Sequence, residues 1–157
     1  MTTIALAALI TWIITACGGF YMLATWLAKG GVRQQPATHL PPGLLFAHFL
    51  LAAAGLVVWI IYLFAPQPAL AWTALVILAV VAVGGFAMLA RWIPIYRTSY
   101  AAVVAPTAGG GTTEAETTRA KAPPEQHFPP VVVAAHGLFA ASTLVLVLLT
   151  ALGVGTR

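Results

Sequence analysis

"HLPPGLLFAH" at residues 39–48 is repeated 88 positions later as "HFPPVVVAAH" at residues 127–136. Each copy opens on His, has Pro-Pro at its third and fourth positions and closes on Ala-His; together they hold all four histidines of the chain. The match continues without a gap, pairing Leu50 with Leu138, Ala52 with Ala140, Ala53 with Ala141, Leu56 with Leu144 and Val57 with Val145. Upstream, "GGFYMLATW" at 18–26 matches "GGFAMLARW" at 84–92 in seven of nine positions, at an offset of 66. Similarity among Ala, Leu and Val arises easily in apolar helices, but Gly-Gly-Phe, Trp, Pro-Pro and His in register do not. The chain therefore reads as two tandem copies of a two-helix hairpin, 1–68 and 69–157. The offsets differ by 88 − 66 = 22 residues, an insertion within "TSYAAVVAPTAGGGTTEAETTRAKAPPEQ" at 98–126.

The solvent of these hairpins follows from composition. Of 157 residues, 61% are hydrophobic and 6% charged, where a soluble domain carries about a quarter charged residues. Four apolar runs, at 4–28, 41–65, 69–92 and 129–153, each meet the ~20 residues an α-helix needs to cross a bilayer. None contains Asp, Glu or Lys, and Arg91 stands at the exit of the third. The expected fold is all-α, an integral membrane four-helix bundle built from two parallel repeats related by a pseudo-two-fold axis along the membrane normal. The first run is longer than a signal-peptide core and lacks a basic leader, so it is expected to be retained. The segment 93–128, rich in Thr, Gly, Ala, Pro and Glu, is expected to be a flexible loop able to order against a partner. The lone Cys17 has no partner for an internal disulfide.

Lys29, Arg33, Arg91, Arg97, Arg119 and Lys121 flank the first and third connections, and Arg157 alone lies at the other end. The positive-inside rule places the long connections in the cytoplasm and both termini outside, as in a prokaryotic plasma membrane. The sequence pI of about 9.7 reflects this bias and implies no nucleic-acid partner.

Pro-Pro suits the first turn of a helix, where the missing N–H groups would be unpaired anyway. The second and fourth helices are thus expected to start at Pro41 and Pro129, leaving His39 and His127 at the headgroups. His48 and His136 then lie ~10 Å further in, at a depth similar to that of Met22 and Met88. Intramembrane histidines are costly and mark a functional site by default. Two at one depth, facing each other across a pseudo-two-fold axis, are suited to the axial ligation of a b-type haem. Gly18, Gly19, Gly84 and Gly85 would leave room for a flat macrocycle.

This arrangement of His48, His136 and the two glycine pairs resembles the four-helix membrane b-type cytochromes, such as those of the cytochrome b561 type and the cytochrome b subunits of respiratory enzymes. The likeness is architectural and covers the helical core. It implies one haem b on His48 and His136, passing electrons near the cytoplasmic face. His39 and His127 would contact propionates, lipid phosphates or a quinone headgroup, or be simply solvated. Those families often carry two haems near opposite faces, whereas all four histidines here lie toward one. Two other readings compete. Imidazole with thioether suits Cu(I), so His48 and His136 with Met22 and Met88 could form a copper site. The chain could instead be a non-catalytic accessory subunit of a larger membrane complex, with or without oligomerisation and with no cofactor of its own. Zinc is disfavoured for want of carboxylate or thiolate ligands, and ion-coupled transport for want of an intramembrane acid. An electron carrier or complex subunit is expected before a stand-alone enzyme.

Overall fold

A computed structural model describes residues 2–33, 38–104 and 123–155, with the side chains of 99–104 excepted. Four α-helices carry the described chain: α1 (Thr3–Ala28), α2 (Pro42–Phe64), α3 (Pro68–Val104) and α4 (Pro130–Ala151), with a 3-10 turn at Pro124–His127 before α4. All four contain a stretch long and apolar enough to cross a membrane. The protein is an all-α, four-helix bundle of the integral membrane type.

Local chemistry sets the helix ends. Thr2 caps α1 by accepting the Ala5 N–H at 3.2 Å. Gly30 at φ 84° takes the left-handed conformation that stops α1. Gly31 then passes so close to Trp26 that a Cβ there would meet the indole at 2.1 Å. Pro41 and Pro129 occupy the N-cap positions with extended backbone, and Pro42 and Pro130 are the first helical residues, one position later than expected.

The largest departure from the sequence reading lies in α3. Its membrane-compatible stretch runs from Pro68 to Thr98, and the helix continues to Val104. The segment expected to be loop from residue 93 therefore begins as helix, while 105–122, including Arg119 and Lys121, lies outside the described residues, as does Arg157. Pro94 sits inside this helix, where it cannot donate to the Ala90 carbonyl. One turn later the Thr98 hydroxyl donates to the Pro94 carbonyl at 3.0 Å.

The helices are arranged in the cyclic order α1–α2–α3–α4. The two extensive seams are α1–α4 and α2–α3; α3–α4 is smaller and α1–α2 the thinnest. Two apolar clusters fill the interior. One, toward the termini, packs Trp12, Trp59 and Tyr62 on small residues such as Ala5, Ala8, Ala71 and Ala74. The other, at the basic end, joins Trp26 and Trp92 to Leu40, Leu45 and Phe128. The outer surface is also apolar: Val131 is 73% exposed and Val83 and Phe86 are each 70% exposed. Such a surface is unfavourable in water and compatible with lipid.

Candidate functional site

His48 on α2 and His136 on α4 come from diagonally opposite helices. Their ring centroids lie 6.5 Å apart with an interplanar angle of 52°. In sequence they fall between the two apolar clusters: His48 between Leu45 and Trp59, His136 between Phe128 and Val147.

Each ring rests on the glycine pair of a neighbouring helix. His136 lies on α1, where a Cβ at Gly19 would stand 3.0 Å from Cε1 and one at Gly18 would stand 3.6 Å from Nδ1. His48 lies on α3, where the corresponding approaches are 3.3 Å from Gly85 to Cε1 and 3.4 Å from Gly84 to Nδ1. The glycines thus seat the imidazoles themselves. Sequence periodicity places a glycine on a face without saying whether a macrocycle or a side chain fills the gap. The positions paired at offsets of 66 and 88 make matching contacts.

The polar surroundings of the two rings differ. His136 Nδ1 donates to the Thr15 carbonyl at 2.9 Å. Around it, the Thr15 hydroxyl donates to the Thr11 carbonyl at 2.8 Å, and Thr143 Oγ1 lies 3.0 Å from Thr11 Oγ1. His48 Nδ1 is buried without a hydrogen-bond partner; the Val81 carbonyl stands beside the ring but outside bonding geometry. At the positions matched to Thr11, Thr15 and Thr143 by the offsets of 66 and 88 stand Ile77, Val81 and Gly55, and a Cβ at Gly55 would meet Ile77 at 3.0 Å.

Met22 and Met88 pack against the Trp26 and Trp92 cluster. No group of three or more His, Cys, Asp or Glu residues suited to a metal occurs among the described residues. A groove of about 240 Å³ on the α1–α4 face is lined by Gly18, His136 and apolar side chains including Ile14 and Phe139. It reaches one side of His136 and does not include His48.

A second polar cluster, missed in the sequence, lies at the basic end. Glu125 is fully buried. Its carboxylate accepts from the Thr38 hydroxyl at 3.0 Å and from the His39 backbone N–H at 2.5 Å, and pairs with His39 Nδ1 at 3.1 Å. Two tryptophans complete the clasp: Trp26 Nε1 donates to Thr38 Oγ1 and Trp92 Nε1 to the Glu125 carbonyl, each at 3.1 Å. Arg91 reaches the His39 carbonyl at 3.4 Å. His39 is thus tied to Glu125 while most of its side chain stays exposed, and the exposed His127 lies 3.3 Å from the Pro124 carbonyl. The available signal was a single acid directly after Pro-Pro and two residues before His127.

Comparison of the chain with protein-family models, with curated proteins and with solved structures gives no match.

Proposed function

We propose that the protein is a small membrane b-type cytochrome, or a haem-bearing subunit of a larger membrane complex, with one haem b held between His48 and His136. The observation that carries this reading is the separation of the rings. His48 and His136 would hold the group between them: with metal–nitrogen bonds of about 2 Å, two imidazoles sharing one metal would have centroids roughly 6 Å apart. His48 and His136 stand at 6.5 Å. The donor set also fits: His136 donates through Nδ1 and so keeps Nε2 as a lone pair, the form in which a neutral imidazole binds a metal. Bound there, the haem would supply one-electron transfer. The chain's own part is to hold two imidazoles on glycine seats, keep them in an apolar interior and limit the approach of water.

The internal sequence match is read as a tandem duplication that gives each half of the site one histidine and one glycine pair. The basic end, with Lys29, Arg33, Arg91 and Arg97 exposed, is assigned to the cytoplasm by the positive-inside rule. The packing of Met22 and Met88 with tryptophans supports a filler role for both and leaves copper the weaker reading.

The test is a visible spectrum of the purified protein, oxidised and dithionite-reduced. Sharp α and Soret bands in the parent, absent from the doubly substituted His48→Ala/His136→Ala protein, support haem. A colourless parent with stoichiometric copper replaces this reading with the copper site. A colourless, copper-free parent that co-purifies with other membrane subunits replaces it with an accessory role.

A further inference from the structure

The two histidines are equivalent in sequence and unequal in their bonding. We infer that His136 is the fixed ligand of the site and His48 the exchangeable one, so that a small Lewis base of imidazole size can take the place of His48 but not of His136. This rests on the haem reading above.

His136 is restrained at two points. The Thr15 carbonyl holds Nδ1 at 2.9 Å, and Gly19 admits Cε1 so closely that a Cβ would stand 3.0 Å away. A carbonyl accepting from the distal ring nitrogen fixes the tautomer, orients the ring and raises its basicity toward a metal. The neighbouring hydroxyls of Thr11, Thr15 and Thr143 reinforce this stretch, since Thr15 donates to the Thr11 carbonyl and Thr143 lies against Thr11. His48 has the glycine seat without the anchor. Its Nδ1 is buried and makes no hydrogen bond although the Val81 carbonyl stands beside the ring, and Val81, Ile77 and Gly55 bring no hydroxyls to hold that stretch in place. A buried polar atom without a partner is uncommon in a settled core and favours any motion that satisfies it. The His48 ring can move without breaking a hydrogen bond at Nδ1, whereas His136 cannot.

The test compares His48→Gly and His136→Gly with the parent in detergent. The partner that orients a metal-binding imidazole is worth about tenfold to a hundredfold in binding. His136→Gly should therefore bind haem b at least about tenfold more weakly than His48→Gly. Free imidazole should restore the six-coordinate spectrum to His48→Gly and not to His136→Gly. Equal haem retention by the two variants, or rescue of both, overturns the inference. Nitrogen-15 NMR of the haem-free parent gives a readout that needs neither variant to fold. A slowly exchanging Nδ1–H on His136 alone agrees with the inference, and equal protection on both rings overturns it. A parent that takes up no haem overturns the haem reading itself, while the nitrogen spectrum still decides whether the two rings differ.

Discussion

The interior histidine pair and the Glu125 clasp place similar chemistry in opposite states of satisfaction. In the clasp, a fully buried carboxylate receives a hydroxyl and a backbone N–H, pairs with an imidazole, and sits in a frame of two indole donors. Between α2 and α4, one imidazole nitrogen has its partner and the other has none. The clasp joins the connection after α1 to the one before α4, and its bonding is complete within the chain. The histidine pair leaves one buried nitrogen, His48 Nδ1, without a hydrogen bond. Burial alone would have ranked Glu125 as the stronger functional candidate; the state of its hydrogen bonds reverses that order.

The comparison can be broken most severely at Glu125. Glu125→Ala strands the His39 N–H and leaves the Thr38 hydroxyl only the Leu40 carbonyl at 3.3 Å, and at about 1–3 kcal/mol per stranded group should cost up to roughly 3 kcal/mol. A thermal melt in detergent checks this, and the haem bands of the folded fraction should keep their positions. An unchanged melting temperature would show that the clasp closes no structural gap.

Gly19→Ala should follow, because its Cβ would press on a ring already anchored to Thr15. A cost of about 1–3 kcal/mol is expected, with a smaller one for Gly85→Ala, whose ring is unanchored and 3.3 Å away. Paired melts and haem titrations test that order, and a larger effect at Gly85 would contradict the difference drawn between the rings. Met22→Leu and Met88→Leu conserve volume and should each cost less than about 1.5 kcal/mol while leaving the visible spectrum intact. Loss of bound copper in either variant would instead favour the thioether site. The smallest effect is expected at Thr15→Val. His136 bonds the main-chain carbonyl, so haem affinity should hold and stability should fall by no more than about 1 kcal/mol, the worth of one hydroxyl bond.

The four spans were legible because length and hydropathy are properties of contiguous residues. The proximity of His48 and His136 was legible because the same ten-residue pattern occurs twice, which no single segment reveals. What escaped the sequence was mostly contact between distant segments. Thr38 and Glu125 are 87 residues apart, and nothing near either announces the other. Pro94 reads locally as a stop, yet α3 continues for ten residues beyond it. The glycine pairs stand out in the sequence, but only the packed helices reveal that imidazoles occupy their hollows.

The seams have a consequence for the order in which the protein can be assembled. A chain inserted from its N-terminus delivers α1 first and α4 last, yet α1 has its main contact with α4 and only its thinnest with α2. The first helix must therefore wait in the bilayer, its mating face turned to lipid, until the rest of the chain has been made. The central pair, α2 with α3, can close early; α4 then arrives carrying both the second histidine and the partner of α1. Completion of the bundle and completion of the site become one event, and a chain that stops before α4 has neither.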